Sequence, residues 1–264
     1  MIRVYRALLL AQLQLASQYR VQMFLWVLFS IIRPVIFLAA WTAVAQAQGG
    51  SVGGFTAGDF AAYYVGLTLV THLAMAWNAY EFELEVRQGK LSPKLLRPLH
   101  PIHYSVAENV VWKVFTLVAV VPALFVIGWT FGARFQTDAA HLLLFVPSVL
   151  LGAALYFVFG WLLATVAFWT TRVSAVSTLY DRAVFIFAGQ IAPLALLPGA
   201  LQTVAYALPF GYMLGVPADI LRGAPSVDQA LLLVGVQAAW LVAGYAALQV
   251  VWRAGLKQYS AVGA

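Results

Sequence analysis

The chain of 264 residues has no cysteine. That absence excludes disulfides, thiol catalysis and cysteine-held metals. Charge is also scarce. Asp, Glu, Lys and Arg supply 9% of the residues, against roughly 25% in soluble domains. A chain so poor in charge cannot cover itself with a polar surface. With 63% hydrophobic residues, it reads as an all-α integral membrane protein. No polar stretch is long enough for an independent soluble unit, so any nucleotide-hydrolysing machinery is expected on another chain. The surplus of six positive charges fits cytoplasmic loops and anionic lipid, not nucleic acid.

Six segments are long and apolar enough to span a bilayer, which takes about 20 residues each: 21–47, 59–80, 107–131, 140–168, 176–198 and 228–252. Before them, residues 1–20 read as an amphipathic interfacial helix. Arg3, Arg6, Gln14 and Ser17 share one side, and Val4, Leu8, Ala11 and Leu15 the other. The stretch 198–227 is too apolar for a solvated loop. Pro198, Pro209 and Pro217, with Gly199, Gly211, Gly215 and Gly223, cut it into pieces too short to cross. It is expected as a re-entrant helix pair between spans five and six, on the outer side and against protein or a water-filled cavity. The whole chain, 1–264, reads as one transmembrane domain.

The one charged island, 81–104, reads EFELEVRQGKLSPKLLRPLHPIHY. Charges do not sit cheaply in hydrocarbon, so this loop belongs in water at a membrane face. Within it Ser92 is a suitable N-cap, Pro93 suits the first helical position and Pro98 ends the helix. Leu91, Leu95, Leu96 and Leu99 are apolar anchors, with Lys94 and Arg97 expected to face away from them. Glu83 stands four residues before Arg87, a helix-surface pair.

Other motifs carry no chemistry. Gly49-Gly50-Ser51-Val52-Gly53 matches the nucleophile elbow G-x-S-x-G but lacks the strand and helix that strain it, and reads as a flexible linker. Gly89-Lys90-Leu91-Ser92 lacks the earlier glycine of a phosphate-binding loop. His100 and His103 are separated by Pro101 and read as interfacial histidines, and Asp181-Arg182 as an interfacial ion pair.

Across its whole length the chain resembles the membrane subunits of ABC-2-type transporters, and among them the bacterial viologen-exporter-like permeases. The resemblance rests on Gly89-Lys90-Leu91-Ser92, Leu95-Leu96-Arg97-Pro98 and Ala107-Glu108-Asn109, on Gly189, Pro193, Pro198, Leu208-Pro209-Phe210 and Pro217, and on the arrangement of elements. It implies half of an exporter in the bacterial inner membrane, paired with a second permease copy or a similar permease. It also implies an ATP-binding cassette subunit that carries ATP and Mg. This chain would hold no cofactor or metal and no catalytic residue. The resemblance makes Ser92, Pro93, Lys94, Leu95, Leu96, Arg97 and Pro98 the coupling helix that meets the ATPase. The substrate expected is small and amphipathic or lipid-like, moved by alternating access. A secondary carrier would need paired acids deep in several spans, and a membrane enzyme would need a coherent catalytic set. Neither is present.

Two polar side chains lie deep in spans. Arg33 is 13 residues beyond Arg20, about 20 Å along a helix, and an ionisable group at that depth is a functional candidate. A snorkelling or structural role is equally open. His72 is similarly deep and reads as a packing residue with a hydrogen bond. With Trp26, Phe185 and Phe187 they make up the candidate translocation path.

Placing both termini inside puts twelve Lys and Arg there (3, 6, 20, 87, 90, 94, 97, 113, 172, 182, 253 and 257) and only Arg134 and Arg222 outside. The positive-inside rule therefore fixes the orientation. Cysteines placed at Gly50 or Thr137 of this cysteine-free chain should react with an impermeant maleimide in intact cells. Labelling at Val262 instead would reverse the topology.

Overall fold

The computed structural model describes residues 2–170 and 173–259, with only the backbone for Arg20 and Met23. Arg172 and Val262, used above for orientation, lie outside those residues. Helix α1 (Ile2–Gln18) buries no side chain and lies along α6 (Ile102–Thr130), consistent with an interfacial position. After a break at Tyr19 comes α2 (Arg20–Ala47).

Gly49–Gly53 is not the expected flexible linker. Ser51–Val52 (β1) and Phe55–Thr56 (β2) pair antiparallel, and Gly53 and Gly54 both take positive φ between them. Two consecutive positive-φ positions are what a tight two-residue hairpin turn requires, and glycine adopts them freely. The hairpin leads directly into α3 (Ala57–Ala74). Its first turn is fixed by a capping box in which Thr56 N–H donates to Asp59 Oδ2 (2.9 Å) and Asp59 N–H to Thr56 Oγ1 (3.4 Å).

The second passage is not continuous. It unwinds at Met75–Trp77 and resumes as α4 (Asn78–Arg87), followed by α5 (Leu91–Leu95). Then come α6, α7 (Ala139–Ala164, drawn on to Phe168 by a 3-10 turn), α8 (Ser174–Phe187), α9 (Gly199–Ala207), α10 (Phe210–Met213), α11 (Gly215–Arg222) and α12 (Val227–Leu256). Among the described residues five helices are long and apolar enough to cross a membrane, beginning at Phe24, Ala57, Ile102, Ala139 and Val227.

The segment expected as the fifth span, 176–198, is helical only as α8. Its 14 residues reach about 21 Å, short of a core roughly 30 Å thick. Gly189 stops it with φ +83°. Pro193 and Pro198 then keep the chain from re-forming a long helix. Beyond that, 198–227 holds three short helices where a pair was expected. Asp181 and Arg182 form no ion pair with each other among the described residues, because consecutive helix positions do not face one another.

Hydrogen bonds between distant segments define two faces. On one, Tyr5 hydroxyl meets His103 Nδ1 (2.6 Å), Ser92 Oγ meets Tyr259 hydroxyl (2.8 Å) and Val173 N–H donates to Glu83 Oε2 (3.2 Å). This face also carries Arg87, Lys90, Lys94, Arg97 and Lys257. On the other, Arg134 N–H donates to Gly58 O (3.0 Å), Gln136 N–H to Arg222 O (3.0 Å), and His141 Nε2 lies 2.8 Å from Pro225 O. Residues 174–226 therefore pass from the basic face to the opposite one in pieces.

Broken backbone at membrane depth needs partners that lipid cannot supply. Tyr63 hydroxyl donates to Gly189 O (2.8 Å); Tyr64 hydroxyl (2.6 Å) and Trp41 Nε1–H (2.8 Å) both donate to Ile191 O. A second buried set joins α7, α10 and α12: Ser148 Oγ donates to Gln237 Oε1 (2.9 Å), and Gln237 Nε2 to Tyr212 O (2.8 Å). Tyr63→Phe should lower stability by about 1–3 kcal/mol, the cost of a buried carbonyl left without its donor. Tyr64→Phe should cost less, because Trp41 still serves Ile191 O. Thermal unfolding in one detergent compares them, and equal midpoints would dismiss the role given to Tyr63.

Candidate functional site

Two regions gather the candidate residues, one at the basic face and one inside the membrane. At the basic face α5 differs in register from the expected capped helix. It begins at Leu91, one residue before Ser92, and no side chain caps it. Ser92 instead holds the Tyr259 hydroxyl, tying α5 to the chain beyond α12. Leu91 is fully buried among Phe82, Trp161, Val173 and Trp252, and Leu95 packs on the same cluster. Lys94 does not face away. It forms an ion pair with Glu85, and its Nζ lies 4.9 Å from the Tyr104 ring centroid. The solvent-facing side is therefore Pro93, Leu96, Arg97 and Pro98, with Leu96 88% exposed. Arg97 is held at the edge of this side by a 3.3 Å bond to Tyr104 hydroxyl.

Beneath α5 the rings of Phe82, Trp161, Phe168 and Trp252 meet at centroid distances of 5.0–5.8 Å, mostly tilted or edge-to-face, the favoured aromatic geometry. They come from α4, α7 with its 3-10 turn, and α12. His100 adds its ring 4.6 Å from that of Trp252. Burial, and next the proximity of His103, holds His100 below the ordinary histidine range. It therefore packs as a neutral ring at neutral pH. Glu83 pairs with Arg87 at 3.4 Å, as expected, and its other oxygen accepts from Val173 N–H just before α8. A displacement of α5 would thus act at once on α4, α7, α12 and the start of α8.

The second region is a cavity of about 330 Å³ whose lining includes Trp26, Ser30, Arg33, Thr71, His72 and Trp77. It lies between the two interruptions, with Met75 and Trp77 from the first and Gln190 from the second also in its wall. Trp26 and Trp77 meet edge-on at 5.5 Å on the side toward the basic face. Arg33 has its guanidinium carbon 5.4 Å from the Phe185 centroid. His72 Nδ1 lies 2.9 Å from Thr68 O and Nε2 3.0 Å from Ser30 Oγ. A carbonyl only accepts, so Nδ1 carries the proton; Ser30 Oγ, which donates its single proton to Val27 O at 2.7 Å, can donate to Nε2 only by giving up that bond.

Of the residues chosen from sequence, Trp26, Arg33 and His72 therefore line one cavity, with Phe185 under Arg33. Phe187 does not join them. It stacks on Phe210 at 6.5 Å, in the packing of α8 against α10. Trp41 serves Ile191 O. Sequence reasoning missed Thr68, Thr71, Trp77, Trp112 and Gln190. The break that brings Trp77 to the wall falls in Met75-Ala76-Trp77, which has neither glycine nor proline to announce it.

A family model, ABC-2 family transporter protein, matches residues 28–263. The chain belongs to the ABC-2 transporter family. It is a membrane permease subunit of an ABC transporter, a class that works with an ATP-binding partner. No curated protein matches the chain.

The two sides of α5 separate by substitution. Leu91→Ala should cost about 2–5 kcal/mol, the usual loss for emptying a buried leucine site. Leu96→Ala should stay within about 0.5 kcal/mol of the parent. Unfolding midpoints in detergent measure both, and a larger loss at Leu96 would reverse the assignment of the two sides.

Proposed function

We propose that this chain is the permease half of an exporter in a bacterial cytoplasmic membrane, of the viologen-exporter-like branch of its family. Both termini and the basic face look toward the cytoplasm. An ATP-binding cassette subunit, carrying Mg and ATP, receives Pro93, Leu96, Arg97 and Pro98 in a cleft. A second copy or a similar permease completes the pathway for a small amphipathic or lipid-like substrate. The branch assignment rests on the motif residues between Gly89 and Asn109; none of them lines the cavity, so the dicationic viologens that name the branch are not taken as the cargo.

The observation that carries this reading is the two-sidedness of α5. Leu96, the residue that follows the last turn of α5, offers a large apolar side chain to water, while Leu91 at the start of the helix is locked into rings from three membrane-crossing helices. A helix this short does not hold itself in water. It is held from behind, which leaves its front free to accept a push. Binding and release of nucleotide on the partner would move α5, and the ring cluster and the Glu83–Val173 bond would pass that movement to α4 and α8. Both helices lead to the cavity, α4 through the break at Met75–Trp77 and α8 through the one after Phe187. Alternating access would then be a change in how these broken passages close around Arg33.

Leu96→Asp puts a charge into the proposed contact without touching the buried side of α5. Transport and substrate-stimulated ATP hydrolysis should be lost, the ATP-binding subunit should no longer co-purify, and the permease should insert as before. Co-purification at the parental level would remove Leu96 from the docking surface.

A further inference from the structure

We propose that the cavity between the two broken passages takes one apolar chain of an amphiphile and holds its anionic head group, with the Arg33 guanidinium as the counter-charge. The inference rests on the transport reading of that cavity and adds the sign of the ligand's charge and the place of its head.

Arg33 stands on α2, 13 residues beyond its first residue, so about 20 Å along the helix axis. A cation at this depth needs a counter-charge or water. No carboxylate forms an ion pair with Arg33 among the described residues. Among the described residues its guanidinium lies only over the face of Phe185, and the side chain is otherwise exposed, which leaves the planar fork of N–H donors unspent. The fork matches the paired oxygens of a carboxylate, sulfonate or phosphate.

The rest of the lining bears out this sign. It contains no Asp or Glu, so nothing there would neutralise a cationic ligand, and Arg33 would repel one. Aromatic walls alone would admit a cation by ring-face attraction, but one fixed positive charge at the same site opposes it. The neighbouring polar groups are already occupied. Thr71 Oγ1 donates to Leu67 O (2.7 Å), Thr68 Oγ1 to Tyr64 O (2.6 Å), and both His72 nitrogens have partners. Beyond these, Gln190 and the indoles of Trp26, Trp77 and Trp112 offer donors, but Arg33 alone in the lining offers a charged one, and the walls include Trp26, Phe29, Phe37, Trp77 and Trp112. A head at Arg33 and an apolar tail along the tryptophans fill both requirements. The volume of about 330 Å³ is at the low end of the roughly 300–1,000 Å³ typical of small-molecule sites, which suits one chain and not two.

Photo-crosslinking with a diazirine-bearing decanoate tests this in the full-length protein in neutral-detergent micelles, with labelled peptides mapped by mass. Labelling should fall within residues 26–37 and 64–77. Decanoate should displace it at least ~10-fold more effectively than decyltrimethylammonium, the factor expected for one charge-assisted contact. Arg33→Gln should reduce labelling by about the same factor, and Arg33→Lys should keep most of it. The competition in the unaltered protein needs no variant, so a misfolded Arg33→Gln would not leave the question open. Equal competition by the cation, or labelling confined to other segments, would overturn the proposal.

Nanodiscs separate the two sources of such a ligand. Loss of labelling when phosphatidylglycerol replaces phosphatidylcholine would assign the site to a membrane lipid head. Unchanged labelling that decanoate still displaces would assign it to a free amphiphile. The assay needs no ATPase, so its failure would leave the docking role of Leu96 standing. Loss of ATPase co-purification in Leu96→Asp is read without reference to Arg33.

Discussion

The structure depends on how two carbonyls are satisfied where no water is expected. Gly189 O and Ile191 O belong to a stretch that has left the helix, and hydrocarbon offers them nothing. Tyr63, Tyr64 and Trp41 reach them from α3 and α2. Large aromatic side chains suit the task because their bodies pack as apolar surface and each keeps one polar atom for a specific bond. Without these donors, α8 would gain by continuing as a helix through 188–192, and the interruption that bounds the cavity would close. The irregular passage is therefore a property of α2 and α3 as much as of the prolines and glycine within it.

The same logic holds on the basic face, with rings in place of single hydrogen bonds. Phe82, Trp161, Phe168 and Trp252 interlock three segments that are far apart in sequence, and Leu91 closes the cluster from outside. Dense aromatic packing resists partial rearrangement. A small shift at α5 is then shared among α4, α7 and α12 and not absorbed locally. Lys94 contributes by pairing with Glu85 and covering Tyr104, which fixes the angle of α5 against α4. The lysine that looked like part of a solvated face from spacing alone is an inward brace.

The parts of this architecture that were legible in sequence are those governed by hydrophobic length. Residues 21–47, 107–131, 140–168 and 228–252 lie within a few positions of long helices, because about 20 apolar residues admit few alternatives. Breaks were legible only where glycine or proline marks them. The pieces between Pro198 and Val227 were foreseen in kind, though as a pair and not as three, while the unwinding at Met75–Trp77 has no such mark. Helix starts on the far face were legible but overlooked: Thr56 with Asp59, Asp138 before α7, and Ser226 with Gln229 are ordinary capping signals. At the site, depth alone singled out Arg33 and His72. Sequence could not show that Phe185 lies beneath Arg33 and Phe187 does not, since that depends on where α8 stops.

The departures from local regularity are also not scattered. Both interruptions, Arg33 and the hydrogen-bonded His72 fall around one cavity, while the neighbouring stretches of α6, α7 and α12 are uninterrupted helix. Features costly in a membrane persist only when something holds them in place, and they concentrate where a protein acts. For the broken backbone, Tyr63, Tyr64 and Trp41 are that support; for His72 it is Thr68 and Ser30. Arg33 has a single aromatic face, the weakest support of the set. Unlike His72, Arg33 is exposed and makes no hydrogen bond among the described residues, so its N–H donors stay open toward the cavity.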